Sequence, residues 1–172
     1  MKKQLKQYIL MLLVALAVIA AAAAAIAAGR SHTTTTGKPE VKVSLAAQVE
    51  RDKAVDIEKA GQLVPGEVLT WTITSVNSGS AAAQNYKTVG DIPAGTIFVA
   101  NSTNGAGKPA VSYSIDGGKT FDTQPMISQK QPDGSTRRIP APVSLYTQVR
   151  FEWMEPLAEG KALTATYQVR VK

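Results

Sequence analysis

The sequence predicts an all-β domain, an antiparallel β-sandwich, standing behind an N-terminal signal helix. Three observations predict it. From Val41 onward apolar residues recur at alternate positions, the period of half-buried strands, and no amphipathic helical spacing follows the signal. The strand-like runs are short and separated by Gly, Pro and Asn turn signals, the punctuation of a sandwich or barrel, and the size favours the sandwich. The amino terminus has a basic start, an apolar middle and a small-residue end, the layout of a secretory signal.

Lys2, Lys3 and Lys6 precede an unbroken apolar run from Tyr8 to Ala28. Ala25-Ile26-Ala27 supplies the small-x-small pattern of a signal peptidase site, so cleavage is expected after Ala27 or Ala28. The run also reaches the roughly 20 residues that span a bilayer as a helix, which makes an uncleaved anchor the alternative for residues 1–28. Both readings export the remainder, to the periplasm or the cell surface, because the lysines hold the amino terminus in the cytoplasm. The chain has no cysteine, which excludes a lipid anchor on cysteine, disulfides and thiol chemistry. Residues 29–40 (GRSHTTTTGKPE) are polar and threonine-rich and read as a flexible tether. Residues 41–172 form the domain, long enough to be held together by its own core.

Within that domain Val41, Val43 and Leu45 alternate with Lys42 and Ser44. After the Pro65-Gly66 turn, Leu69, Trp71 and Ile73 should face the core while Thr70, Thr72 and Thr74 form a solvent-facing ladder. Asn77-Ser78-Gly79-Ser80 stops that strand. Shorter strands are expected at Tyr86–Val89, Thr96–Ala100 and Ala110–Ser114. Gln124 to Pro142 reads as a long proline-punctuated loop. Gln148–Trp153 and Leu163–Val171 alternate clearly and read as an antiparallel hairpin closing the domain.

Removing the three signal lysines from the 19 basic residues leaves 16 against 13 acidic ones, so the formal +6 falls to +3. The charges alternate, and Arg137-Arg138 is an isolated pair, so no nucleic-acid partner is expected. The single histidine, His32, sits in the tether, which leaves a serine triad without a placed base and a zinc site without ligands. The acids do not form a dense calcium loop, and Asp116 with Asp122 is the nearest approach to one. No cofactor, no metal and no enzymatic activity are expected. Trp71 and Trp153 fall at inward positions, leaving Tyr146 as the one loose candidate for a carbohydrate-stacking aromatic.

The most specific local pattern is Ser114-Ile115-Asp116-Gly117-Gly118-Lys119-Thr120-Phe121. It resembles the Asp-box, a structural hairpin motif of sialidase propellers. The resemblance implies that Ser114, Asp116, Gly118, Thr120 and Phe121 act as a staple, Asp116 tying the turn through backbone hydrogen bonds and Phe121 anchoring it in the core.

Leu63 to Ile73 (LVPGEVLTWTI), followed by Val76-Asn77-Ser78-Gly79, resembles the opening of a prokaryotic surface-repeat family known as domain of unknown function eleven. Asp91-Ile92-Pro93-Ala94-Gly95-Thr96 and Val99-Ala100-Asn101-Ser102 are similar to its second half, and Tyr146–Trp153 to its closing strands. The chain departs in holding one copy and in Trp71, where tyrosine is usual. The resemblance implies an immunoglobulin-like sandwich of about seven to eight strands on a secreted or envelope protein. The functional expectation is a non-catalytic cell-envelope module contacting an envelope protein or surface component. A filament or pilin-like subunit that donates Val41–Leu45 to a neighbour's sheet edge is the first alternative, and a secreted carbohydrate-binding module the second.

Overall fold

The computed structural model describes residues 37–172, so the signal segment with Ala25 and Ala27, and the tether as far as Thr36 including His32, lie outside the described residues. The described chain is all-β. Its strands are β1 (Val41–Glu50), β2 (Ala54–Asp56), β3 (Val68–Asn77), β4 (Lys87–Asp91), β5 (Thr96–Phe98), β6 (Asn104–Gly105), β7 (Ala110–Ser114), β8 (Met126–Lys130), β9 (Thr136–Pro140), β10 (Gln148–Glu152) and β11 (Ala162–Val171). Every pairing is antiparallel. The larger sheet runs β2-β1-β3-β11-β5, with β6 also on β11; the smaller runs β4-β10-β7; β8 and β9 form a separate ribbon.

Alternation assigns the faces. In the larger sheet Val49, Leu69, Ile73, Ala165, Tyr167 and Val169 point inward; in the smaller, Val149 and Phe151 do. Together with Phe98 and Trp153 these residues make one sandwich-like core. Thr72 and Thr74 stand opposite Thr166 and Thr164 on the outer face of β3 and β11, forming the expected threonine ladder. Polar ties cross the core as well. The Tyr86 hydroxyl donates to Ser75 Oγ at 2.8 Å, and the indole of Trp153 donates to the Ala106 carbonyl at 2.6 Å. The Tyr167 hydroxyl donates to the Asp91 carbonyl at 2.6 Å. Burial, aided by the Asp91 charge, raises the Tyr167 pKa, so the hydroxyl keeps its proton and its role as donor.

The turn motifs have visible work. Glu67 of Pro65-Gly66-Glu67 accepts the Val64 amide at 2.8 Å and pairs with Arg51 at 2.7 Å, joining the β1–β2 turn to the start of β3. Thr96 donates to the Pro93 carbonyl at 2.7 Å, closing the turn before β5. Ser102 donates to Val99 O at 2.6 Å and accepts from the Gln168 amide at 3.0 Å, pinning the loop after β5 against β11.

Three expectations need correction. Gln148–Trp153 and Leu163–Val171 do not form a hairpin: β10 pairs with β4 and β7, and β11 with β3, β5 and β6. Each strand is apolar on one face, and the core is closed by bringing those faces together from opposite sheets. The segment between them crosses the sandwich, held by the Ala83–Leu157 bridge. The stretch 124–142 is not a featureless loop, because it carries β8 and β9, closed by a turn in which Asp133 accepts from the Ser135 amide and hydroxyl. Finally, Val43 and Leu45 share a face with Ala47 and Val49 but stay 56% and 57% exposed, because the smaller sheet does not reach that end of β1.

Candidate functional site

The Ser114–Phe121 segment folds as a tight turn at the end of β7. Gly117 and Gly118 both take positive φ, 73° and 88°, where a side chain would be strained. Asp116 organises the turn. Its Oδ1 accepts from the Thr120 amide at 3.0 Å and the Ser114 hydroxyl at 2.7 Å, and its Oδ2 accepts from the Thr120 hydroxyl at 2.7 Å. Ser114 Oγ in turn accepts the Gly118 amide at 2.8 Å. Backbone bonds between Tyr113 and Asp122 close the loop.

These donors, the Thr120 hydroxyl first, favour the ionised carboxylate and hold the Asp116 pKa down to about 2 from an ordinary 3.8. A folded-state pKa below the unfolded one means that the stabilisation is present above about pH 4 and is lost as pH falls through about 2. The Thr120 amide resonance is therefore expected to titrate with a midpoint near 2, and Asp116→Asn to remove that titration. A midpoint near 4 would show that the network does not hold the carboxylate.

Phe121 does not enter the core. It lies on the outer face of the smaller sheet, where the Arg150 guanidinium stands 4.3 Å from its ring centroid. The reason is register: Arg150 is opposite Ser112 and Val89, at the outward positions between inward Val149 and Phe151. Arg150 Nε lies 2.6 Å from Glu152 Oε1, but its N–H is not aligned for a hydrogen bond, leaving an ion pair only. A shallow hollow of about 350 Å³ lies on one side of Phe121, bordered by Ser112, Thr123, Arg150 and Glu152. A second, of about 170 Å³, lies on the other, bordered by Ile115, Pro125, Met126 and Arg138. Asp122 borders both. The result is a rigid aromatic–arginine ridge between two depressions, with both signs of charge along its rim.

The expected staple residues Ser114, Asp116, Gly118 and Thr120 are thus brought together, and Phe121 serves the surface instead. From the sequence Arg150 and Glu152 are only members of the alternating run Gln148–Trp153, because the stacking of Arg150 on Phe121 depends on the pairing of β7 with β10. Tyr146, the expected loose aromatic, is half-buried against Tyr113 and Phe98, at centroid distances of 4.8 and 5.8 Å. Burial raises its pKa. Trp153 is buried, and Trp71 is half-buried, packing partly against the core. Among the described residues there is no group of three or more His, Cys, Asp or Glu placed to hold a metal ion. No family model, curated protein or solved structure gives a significant match to the chain.

Proposed function

We propose that the chain is an exported, non-catalytic cell-envelope module that makes protein–protein or surface contacts through an immunoglobulin-like sandwich. The observation that carries this reading is the Phe121–Arg150 ridge. Aromatic and arginine side chains held in place beside hollows of mixed polarity are the usual anchors of binding surfaces, since little side-chain entropy remains to be lost on contact. The Asp116 network supplies that rigidity. The signal-like amino terminus supports export, and the resemblance of Leu63–Ile73 and Asp91–Thr96 to the surface-repeat family supports both the topology and the location.

The test is retention of envelope components by the exported chain under mild crosslinking. Wild type is expected to retain a discrete partner, and Phe121→Ser with Arg150→Gln to retain about tenfold less while still unfolding in one cooperative transition. No retention by wild type, or equal retention by the double variant, would overturn the reading. The carbohydrate-binding alternative finds no support in the packing of Trp153 and Tyr146. Donation of Val41–Leu45 is opposed by β1 itself, which pairs with β3 over its whole length, Val41↔Asn77 to Glu50↔Val68.

A further inference from the structure

β1 is an edge strand for most of its length. β2 covers only Gln48, Val49 and Glu50, so among the described residues Val41–Ala47 carries an unpaired row of backbone groups on the side away from β3. Natural edges are blunted by charge, proline or a bulge, because an open row of amides and carbonyls accepts another strand. Here Lys42 is the single charge in the seven residues, and Val43 and Leu45 are more than half exposed beside the row. At its β2 end the open edge runs into a hollow of about 400 Å³ between Leu45–Ala47 and the 3₁₀ turn Ile57–Lys59, with Trp71 on its wall. Asp56 is satisfied there by Gln48 and Lys59, at 3.2 and 3.1 Å, while Glu58 is exposed and makes no ion pair among the described residues.

We infer that this edge is an acceptor, and that its occupant is the segment 30–36 of a second copy of the chain. The inference rests on the exported reading and on cleavage after Ala28. Three features fit. Residues 30–36 (RSHTTTT) number seven, matching the open stretch 41–47, and threonine is a strong strand former. The segment is free of acids and opens with Arg30, the charge that complements Glu58. The attachment point also sets the orientation. Run antiparallel to β1, the donated segment ends its amino-terminal side at the hollow, where no domain follows, and leaves for its own Gly37 beyond Val41, where β2 is out of the way. The parallel orientation would drive the donor's whole domain into β2.

The same chain is held away from its own edge. Lys38 and Ser80 are joined by Ser80 N–Lys38 O at 3.0 Å and Lys38 N–Ser80 Oγ at 3.2 Å, and the Ser78 amide donates to Glu40 O at 2.8 Å. These bonds continue the extended course of β1 upstream and oppose a reversal at residues 37–40. Each copy therefore gives one segment and receives one, a head-to-tail contact that propagates unless a ring closes. One added strand is a small interface, so the association is weak and concentration-dependent.

Sedimentation of the exported chain decides the matter, with its intact mass first establishing whether Gly29 is the first residue. Wild type is expected to grow from monomer to larger species with concentration, and the edge variant Leu45→Lys, an exposed position, to require at least about tenfold more protein for the same shift. Peptide GRSHTTTT should compete with wild-type assembly, and its Arg30→Glu form should compete at least about tenfold less well. A wild type that stays monomeric across the range, or assembly untouched by both Leu45→Lys and the peptide, overturns the inference. A wild type that is monomeric without peptide and fails to bind it would mean that the edge is already filled by its own chain, which also overturns the inference. Envelope retention through the Phe121–Arg150 ridge is measured separately, so loss of one result leaves the other standing.

Discussion

Replacing Asn77 with alanine is expected to destabilise the domain by about 3–4 kcal/mol, a large share of the roughly 5–15 kcal/mol typical of such domains. Asn77 is fully buried at the end of β3 and uses its whole hydrogen-bonding capacity. Oδ1 accepts the Glu40 and Gly79 amides, each at 3.1 Å, and Nδ2 donates to the Ala81 and Leu157 carbonyls at 2.7 and 2.9 Å. One side chain thus joins the segment leading into β1, the turn after β3 and the crossover between the sheets. Alanine leaves the Glu40 and Gly79 amides and the Ala81 carbonyl without partners, while the Leu157 carbonyl keeps the Ala83 amide at 2.9 Å, and a water admitted to the space recovers part of that loss.

Asn77→Asp sharpens the test because it keeps the shape and reverses the chemistry. A carboxylate still accepts from both amides, but it places its charge against the Ala81 and Leu157 carbonyls, which it cannot satisfy. Burial among carbonyls raises the carboxyl pKa above its unfolded value, so lowering the pH restores a donor and part of the stability. Urea unfolding midpoints at pH 7 and pH 4.5 are expected to show the aspartate variant worse than alanine at the higher pH and closer to it at the lower. Midpoints within experimental scatter of wild type for both variants would remove Asn77 from its role as a clamp.

The strands that build the core were legible because period-two alternation records which face is buried. Leu69, Trp71 and Ile73 point inward, and Ala110–Ser114 has the expected bounds. Alternation fixes a face but says nothing about which strand lies alongside. For that reason Gln148–Glu152 and Ala162–Val171, neighbours in sequence, were paired with each other when they belong to different sheets. The same limit explains Phe121. Its pattern marks a hairpin, and whether the aromatic goes in or out depends on Arg150 arriving opposite Ser112 through the β7–β10 register. Val43 and Leu45 show the converse, since their inward face is correct and the missing cover belongs to the extent of the other sheet. Asn77 read as a turn former, and nothing local to it shows that Glu40 and Leu157 converge on its amide.

Gly90→Ala is expected to cost about 3 kcal/mol, and Gly90→Val more, although neither changes a charge or a hydrogen-bonding side chain. Gly90 is an inward position of β4, opposite Val149 in the register with β10. The Tyr167 ring crosses from the larger sheet and rests directly on it. A Cβ built at Gly90 falls 2.7 Å from Cζ and 2.8 Å from the hydroxyl oxygen of Tyr167, inside contact distance. The ring has little room to yield, being 1% exposed, packed in the core and tethered through its hydroxyl to the Asp91 carbonyl. Relief must come from separating the sheets or breaking that tether. Tyr167→Phe isolates the second route. Alone it removes one hydrogen bond and leaves the Asp91 carbonyl unpaired, a loss of about 1–2 kcal/mol. In the Gly90→Ala background the missing hydroxyl also lifts one of the close contacts, so the second substitution is expected to cost less than it does alone. A double-mutant cycle on chemical unfolding measures the difference, and simple additivity of the two losses would show that Gly90 is not the seat of the Tyr167 ring.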